Sequence, residues 1–413
     1  MKKGLLFWER LVALATIFFL PSQFAFHFWP NYAFVFGARI DYLSPAVYFS
    51  DVLIISLLVF VLRNAKPEFV RFLKSKSKLI VLLVTFSIIN TAFSVVPAVS
   101  AFKWLKIFEA LFFASYIFIR KKDIGEVNIL GSLFASAFLV SLIGITQFFS
   151  GGTTGLFYLL GERSFRISTP GIALVSLGGR EFMRAYSVFP HPNVLAGYLG
   201  LTLITLVNTK RLHPKAFFLV GLLLISFCLF LTFSLSAFVA IGCIVALFLF
   251  KGKKIFRILS LSVFAASLLF SLLMPVLSRE MKGINFSQNV SQRFDLAEIS
   301  VFALEDAFVL GRGLNTYIIN SAPFERFVDS PWLLQPVHNI FLLAFSEIGI
   351  TGLLFLALFS YSLLKTSLRK KNFILAACLL FILIVGTLDH YWITLQQGLL
   401  SLSFFIGFNF WEG

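Results

Sequence analysis

The segment from Arg184 to Asn193 places an arginine, two prolines, a histidine and an asparagine directly before a long apolar stretch. Pro190 and Pro192 cannot continue a helix from upstream, so the pattern predicts that a helix starts here. The backbone N–H groups near His191 would attract an anion, and Arg184 adds positive charge beside them. An anion-binding site is therefore predicted, although Asn193 could simply cap the helix while Arg184 reaches lipid headgroups.

A second group of candidates begins with a periodic segment. From Ser287 to Val309 the pattern predicts an amphipathic helix on the outer surface, with apolar residues at Phe294, Ala297, Val301 and Leu304. Arg293 falls in the first turns of this helix. Gly311 and Gly313 flank Arg312 and would let the backbone turn sharply beside a ligand. The same glycines could also form an ordinary helix C-cap.

His338 opens a further apolar stretch, where a histidine with a free nitrogen could act as a general base toward a hydroxyl group. Asn339 could form hydrogen bonds beside it. Glu347 lies nine residues deeper, and a carboxylate inside an apolar span requires a partner or a role. Gly349 and Gly352 suit close helix packing. A polar helix cap at His338 and a buried structural acid at Glu347 are the alternative interpretations.

Asp389 and His390 lie in the turn before the last apolar stretch, where they could pair or bind a sugar. No outer loop has the Asp-x-Asp or Glu-x-Asp spacing that would offer oxygen ligands to a divalent metal. Glu305 and Asp306 are adjacent, so on a helix they would point about 100° apart. We therefore expect no metal and no cofactor. The lack of Walker A, Gly-x-Ser-x-Gly and His-Glu-x-x-His motifs argues against ATP-driven and hydrolytic chemistry.

The composition indicates what must position these residues. Of the 413 residues, 59% are hydrophobic and 13% are charged, and the mean hydropathy is +0.91. Soluble chains are about 25% charged, so the composition argues against a soluble enzyme and against disordered and collagen-like chains. The three cysteines lie inside apolar runs, which excludes a disulfide framework, a thiolate zinc site and a CxxC redox motif.

Twelve apolar runs approach the length of about 20 residues that a membrane-spanning helix needs, and eleven or thirteen spans are also compatible with the pattern. The predicted fold class is an all-α polytopic membrane protein that forms one domain over residues 1–413. The predicted spans are 6–26, 46–62, 79–97, 99–119, 129–149, 190–208, 216–233, 235–250, 258–277, 337–364, 373–388 and 393–411.

The net charge of +16 would suit nucleic acid, but the positive charge follows the membrane topology instead. If Met1 is cytoplasmic, 22 of the 35 basic residues fall on inner loops, as the positive-inside rule requires. Both termini are then cytoplasmic. Loops 27–45, 150–189 and 278–336 face outward, and the last is a large extracytoplasmic loop.

The outer loops hold ten basic residues, nine of them arginines, whose planar guanidinium binds phosphate through two hydrogen bonds. This bias suits a phosphorylated lipid as substrate. The arginines could instead pair with acidic residues of the same loops, and Arg163, Arg166 and Arg180 could simply solvate theirs. The ten are Arg39, Arg163, Arg166, Arg180, Arg184, Arg279, Lys282, Arg293, Arg312 and Arg326.

These motifs together resemble those of the O-antigen ligase and polymerase superfamily of bacterial envelope proteins. The resemblance covers about residues 180 to 360 at the level of motifs. It rests on Arg184 with Phe189-Pro-His-Pro-Asn193, Ser291-Gln-Arg293 followed by Gly311-Arg-Gly313, and His338-Asn339 with Glu347-Ile-Gly349-Ile-Thr-Gly352.

The resemblance implies a fold like that of the GT-C membrane glycosyltransferases, located in the cell inner membrane, and a role in lipopolysaccharide or other polysaccharide biosynthesis. Such proteins move a glycan from undecaprenyl diphosphate to an acceptor hydroxyl of lipid A core, a glycan or a protein, with inversion and without a metal. By resemblance, Arg184 with Arg293 or Arg312 would hold the diphosphate, and His338 would deprotonate the acceptor. Supporting roles are expected for His191, Asn193, Asn339, Glu347 and Asp389.

One position departs from the family pattern. Many members carry a basic residue after the serine of the segment that is Thr232-Phe-Ser-Leu-Ser236 here, where this chain has Leu235. A polysaccharide polymerase of the same superfamily is the alternative function. A transporter of an anionic solute or lipid is more remote, because no inverted repeat is visible and few ionisable residues lie in mid-membrane. These residues are Lys103, Lys106, Glu109 and Glu347.

Overall fold

The computed structural model describes residues 2–207, 216–280, 288–302, 307–323 and 334–410. Ser287, Leu304, Glu305, Asp306, Lys282 and Arg326 lie outside these ranges. Helices dominate the described ranges. They are α1 (Lys2–Phe18), α2 (Phe49–Phe60), α3 (Lys66–Ser75), α4 (Ser77–Ala92), α5 (Pro97–Ile124), α6 (Glu126–Ser150), α7 (Pro192–Val207), α8 (Ala216–Leu231), α9 (Leu235–Phe248), α10 (Lys254–Glu280), α11 (Gln288–Phe302), α12 (Tyr317–Ser321), α13 (Ile340–Arg369), α14 (Phe373–Gly386), α15 (Tyr391–Thr394) and α16 (Gln396–Asn409).

Within the described residues, three short two-stranded antiparallel sheets occupy the first two predicted outer loops. The strands are β1 (Ala25–His27), β2 (Phe34–Val35), β3 (Ala38–Arg39), β4 (Ala46–Tyr48), β5 (Leu174–Leu177) and β6 (Arg180–Met183). β1 pairs with β4, β2 with β3, and β5 with β6. The pairing of Ala25 with Tyr48 closes the first loop into a compact unit directly before α2.

The helices follow the apolar pattern and confirm a helical membrane protein. Three of them, α6, α10 and α13, are long and apolar enough to cross a membrane, and five more apolar helices are shorter. The count of twelve spans stays a prediction. The segment between the second and third predicted spans is mostly helical, because Lys66–Ser75 forms α3 with Pro67 in its first turn.

Buried apolar side chains hold the bundle together in three clusters. The largest includes side chains of α1, α5, α6, α7 and α16. A second joins the first loop to α11 and to the start of α13, and a third joins α10, α13 and α14. α5 and α16 approach each other backbone to backbone, because Gly407 has no side chain to collide with Ala114.

The predicted amphipathic helix exists as α11, and its apolar face packs against the rest of the protein, while its place relative to the membrane surface stays a prediction. Leu296, Ala297 and Ile299 are buried in the second apolar cluster, and α11 packs against α10 and α13. The polar residues Glu298 and Ser300 are buried with them. The helix is therefore an internal element that carries Arg293 on its first turns.

The Gly311 and Gly349 motifs form one structural contact. α13 is interrupted at Gly349, whose backbone angles are φ 66° and ψ −171°, a region open essentially to glycine alone. The segment before α12 inserts into this break. Ile350 N donates to Phe308 O at 2.9 Å, and Gly313 N donates to Glu347 O at 2.9 Å.

Asn90 of α4 stabilises this contact through side-chain hydrogen bonds to both segments. Its Nδ2 donates to Leu310 O at 3.0 Å and to Glu347 O at 3.1 Å, while its Oδ1 accepts from Leu314 N at 3.1 Å. Trp104 Nε1 donates to the same Oδ1 at 3.0 Å. One buried amide therefore satisfies backbone groups that the interrupted helix would otherwise leave unpaired.

We predict that Gly349→Ala destabilises the protein by about 2–5 kcal/mol, because the new Cβ would overlap Val309 O in a backbone region closed to alanine. The thermal unfolding midpoint in detergent measures this. Gly242→Ala is the matched control, since a Cβ there meets nothing within 4 Å, and it should be neutral or slightly stabilising. An equal midpoint for both variants would contradict the proposed tight insertion.

Candidate functional site

A cavity of about 1320 Å³ lies beneath the short β-sheets, where several helices begin or end. Its lining combines residues of the first two loops with the starts of α5, α7 and α15. All four histidines within the described ranges line it, and so do six basic residues. These side chains are His27, His191, His338, His390, Arg39, Lys103, Lys106, Arg163, Arg184 and Arg293.

Asn193 joins an arginine to a carboxylate in the cavity wall. Arg184 Nη2 donates to Asn193 Oδ1 at 2.8 Å, and Asn193 Nδ2 donates to Asp389 Oδ2 at 3.0 Å. Arg184 Nε donates to Thr232 O at 2.6 Å. A guanidinium has five N–H groups, so the two hydrogen bonds orient Arg184 and leave donors for a ligand.

His191 presents an N–H donor to the cavity. Its Nδ1 accepts from Asn193 N at 3.1 Å, so in the neutral ring Nε2 carries the hydrogen. Desolvation by the surrounding walls, with repulsion from Arg184 and Arg293, lowers the pKa of His191 although its ring is open to the cavity. His191 is therefore a neutral donor beside Arg184 at the start of α7.

Arg293 brings a second guanidinium to the same cavity. Its Nη1 donates to Leu388 O at 2.7 Å, which ties α11 to the residue before Asp389. Arg184 and Arg293 are close enough to repel each other, which contributes to a lowered pKa of Arg184 after desolvation by burial. Two like charges held together in this way favour a multiply charged anion such as a diphosphate between them.

His338, Asp389 and His390 form a compact group, with one potential ligand atom of each residue within 4.8 Å of the others. The His338 and His390 ring centroids are 5.0 Å apart at 71°. His390 Nδ1 is hydrogen-bonded to Thr394 Oγ1 at 2.7 Å, while His338 Nδ1 is buried without a partner among the described residues. Since an unpaired polar atom at a buried position is costly, His338 is the member of this group whose hydrogen bonding a ligand could complete.

The charge state of this group follows from its surroundings. Burial, and then the neighbouring His390, lower the pKa of His338, and burial lowers the pKa of His390 to about 4. Burial alone would raise the pKa of Asp389, but His338, His390 and Arg293 outweigh it and lower that pKa. Near neutral pH, two neutral imidazoles thus stand beside an ionised carboxylate.

The same three residues could in principle hold a metal ion, since two imidazoles and a carboxylate are common zinc ligands. However, both Asp389 oxygens already accept hydrogen bonds, from His390 N and from Asn193 Nδ2. Arg293 also places positive charge close to all three residues. This charge pattern suits an anionic ligand better than a cation.

The structure brings most of the predicted site residues together. Arg184, His191, Asn193, Arg293, His338 and Asp389 all line the cavity. Arg312, Asn339 and Glu347 do not. The expected role of Arg312 at a diphosphate is therefore not retained, because its Gly-Arg-Gly segment is used to fill the break in α13.

Asn339 and Glu347 have structural partners. Asn339 caps α13, since its Oδ1 accepts from Phe341 N and Leu342 N, and its Nδ2 donates to Ser271 Oγ and Thr387 O. Glu347 Oε1 accepts from Tyr317 N at 3.3 Å. These contacts agree with the interpretation of Glu347 as a buried structural acid.

The sequence patterns did not propose His27, Tyr42, Lys103 or Lys106 as site residues, although all of them line the cavity. Lys103 Nζ donates to Thr394 O at 2.9 Å, and Lys106 pairs with Asp51. Two lysines three residues apart at the start of an apolar helix are a usable signal, because each must find a partner there. His27 and Tyr42 lie in a short irregular loop and carry no comparable signal.

Residues 220–357 match the family model described as O-Antigen ligase. Residues 39–176 match a second model, which describes a family of unknown function. No curated protein matches the chain. The first match confirms the resemblance to the O-antigen ligase superfamily, and it contains Arg293 and His338. The cavity combines residues of both matched regions with Arg184, His191 and Asp389, which lie outside them.

We predict that Arg184→Gln and Arg293→Gln each weaken binding of inorganic pyrophosphate by about tenfold, because each removes a charge-assisted hydrogen-bonding partner. Isothermal titration calorimetry of the purified protein measures this. Arg180→Gln is the matched control: it removes the same charge from exposed β6, outside the cavity lining. Equal weakening by Arg180→Gln would show that only long-range charge attracts the anion.

Proposed function

We propose that this chain, which carries an O-antigen ligase region at residues 220–357, transfers a glycan from a polyprenyl-diphosphate carrier to an acceptor hydroxyl on the outer face of the cytoplasmic membrane. The observation that carries the proposal is the meeting of Arg184, His191, Arg293, His338 and Asp389 in one cavity. Two guanidiniums and a neutral base beside a carboxylate are what displacement of a diphosphate requires.

The donor diphosphate would lie between Arg184 and Arg293, with His191 Nε2–H as a further donor. As the bond from the anomeric carbon to the diphosphate oxygen breaks, its electron pair stays on the diphosphate. Preorganised positive groups stabilise that developing charge most effectively in a desolvated site. Arg184 is already oriented by Thr232 and Asn193, so little reorganisation is required during the reaction.

His338 would take the proton of the acceptor hydroxyl while the acceptor oxygen bonds to the anomeric carbon. Its neutral state allows this, and Asp389 would offset the charge of the imidazolium that forms. The low pKa in the free protein makes His338 a weak base. Arrival of the diphosphate adds negative charge nearby, which would raise the pKa of His338 when it is needed. Inversion at the anomeric carbon follows from a single displacement, and no metal takes part.

The volume of the cavity supports transfer between two bulky substrates. At about 1320 Å³ it exceeds the range of about 300–1,000 Å³ typical of sites for one small ligand. A polymerase that holds a carrier-linked chain and a second glycan unit fits the same observation. The acceptor used by the purified protein separates the two functions: lipid A core or protein indicates a ligase, and a second carrier-linked glycan indicates a polymerase.

We predict that purified protein transfers glycan from a polyprenyl-diphosphate donor in the presence of EDTA, and that His338→Ala lowers the rate at least 100-fold, because proton transfer by a positioned base contributes about 10²–10⁴. Product formation is followed by gel mobility or mass spectrometry over a panel of acceptors. Arg180→Gln, at an exposed arginine outside the cavity lining, is the control and should keep full activity. Transfer that requires a metal, or that survives in His338→Ala, would contradict the mechanism.

The lowered pKa of His338 also predicts a pH profile. The neutral form accepts the proton, so kcat/KM should fall on acidification, with a midpoint below the value of about 6.5 for a free imidazole. kcat reports the substrate complex, where the bound diphosphate raises the pKa of His338, so its midpoint should be higher than that of kcat/KM. Coincident midpoints would contradict the proposed effect of the donor on His338.

A further inference from the structure

The first loop forms a wall of the cavity at some remove from Arg184. Along β1 and the residues that follow it, side chains alternate between two environments. Phe26 and Phe28 are 67% and 51% exposed on the outward side, whereas His27 and Trp29 line the cavity. The outward side is apolar enough for lipid, and the inward side is aromatic and polar.

A stack of three planar groups stands on the inward side. The His27 and Trp29 rings are stacked with centroids 5.5 Å apart and 15° between planes, and the Arg39 guanidinium lies 4.4 Å from the centre of the Trp29 ring. Stacking of this kind orients a guanidinium without using its N–H groups. Within the described residues, the Arg39 guanidinium makes neither a hydrogen bond nor a salt bridge, so its donors are available to a ligand.

Arg163 adds a second guanidinium to this wall. Its Nη2 is 3.4 Å from Asp41 Oδ2, and both side chains are 47% exposed, so the pair is weak. Arg39, Arg163 and Asp41 together carry a net charge of +1. Burial lowers the pKa of His27. The negative charge of Asp41 raises it, and the positive charges of Arg163 and Arg39 lower it. The net lowering leaves the ring neutral.

His27 offers a neutral imidazole in the same place. Its Nδ1 is hydrogen-bonded to Ser44 Oγ at 2.9 Å, which leaves Nε2 for a ligand. Nε2 accepts from a sugar hydroxyl when Nδ1 carries the ring hydrogen, and it donates to a sugar oxygen in the other tautomer. The wall thus combines two guanidinium groups with a neutral imidazole.

Tyr42 connects this wall to the proposed reaction centre. Its ring centroid is 5.8 Å from that of His390, and its chain neighbour Asp41 contacts Arg163. Asn315 Nδ2 donates to Tyr42 O at 2.7 Å, which anchors the loop to the segment before α12. A sugar chain that starts at His338 would therefore pass Tyr42 and reach Arg39 and Arg163.

We propose that Arg39, Arg163 and His27 form a subsite for an anionic substituent, a carboxylate or a phosphate, on a sugar of the glycan that the protein binds. The subsite rests on the proposed function, because it takes the substrate of the same cavity. A lipid headgroup would bring the same chemistry, but the three side chains line the cavity and not the phenylalanine-covered outward side.

Direct binding, measured without turnover, tests this subsite. Isothermal titration calorimetry would compare three probes of equal length: a tetrasaccharide that contains glucuronate, one that carries phosphate, and a neutral one. Arg39→Gln and Arg163→Gln should each weaken binding of the charged probes by about tenfold and leave the neutral probe unchanged. Asp41→Asn should strengthen binding of the charged probes, since it removes the only acid among the three charged residues.

Arg180→Gln is the control, because it removes an exposed arginine of the same face outside the cavity. The opposite signs expected for Arg39→Gln and Asp41→Asn distinguish a binding role from a general loss of folding. Equal effects on charged and neutral probes, or no preference of the wild-type protein for a charged probe, would overturn the subsite.

Nanodiscs with and without phosphatidylglycerol separate the two sources of negative charge. Unchanged affinity for the charged tetrasaccharides in both supports a glycan ligand, and displacement by phosphatidylglycerol assigns the site to a lipid headgroup and overturns the proposal. Failure of the proposed function would give a different result from failure of the subsite. In that case the wild-type protein would transfer no glycan and would still bind the charged probes through Arg39 and Arg163.

Discussion

The Asn193 side chain hydrogen-bonds to a cation, Arg184, and to an anion, Asp389, and the geometry of the site depends on these two contacts. Its oxygen accepts from Arg184 and its nitrogen donates to Asp389, which an amide can do because it carries both an acceptor and donors. Arg184 and Asp389 are thereby held in one wall without a direct ion pair. Arg184 keeps its charge for an anion, and Asp389 keeps its charge for the neighbouring imidazoles. The start of α7, the loop before it and the turn after α14 are positioned by the same contact.

The apolar surroundings determine how the other polar groups are used. A backbone group left unpaired inside an apolar bundle costs several kcal/mol, so the break in α13 at Gly349 must be filled. The segment that contains Gly311 and Gly313 fills it, and Asn90 pairs with the remaining groups. Glycines and a glutamate that the motif pattern associates with ligand binding thus serve packing, and they join α4 and α13 to the segment before α12.

The cavity itself has two chemically distinct regions. Around Arg184, Arg293 and His338 it combines two guanidiniums with histidines that burial and nearby cations keep neutral. Around His27, Trp29 and Arg39 it is built from stacked planes with unused donors. The two regions share Tyr42 and its neighbours as a common wall, so one extended substrate can contact both.

The sequence by itself determined the helical class and, to within about three residues, the starts of α7 and α13, because apolar runs and prolines are local signals. It also singled out Arg184, Arg293, His338 and Asp389, since charged or polar residues at the ends of apolar runs need a reason to be there. Only the tertiary structure decided which of the candidates meet. The Asn193–Asp389 contact joins residues 196 positions apart, and the packing of the first loop brings His27 and Arg39 to the same cavity. Such contacts depend on how helices and loops pack against one another, and no local pattern records that arrangement.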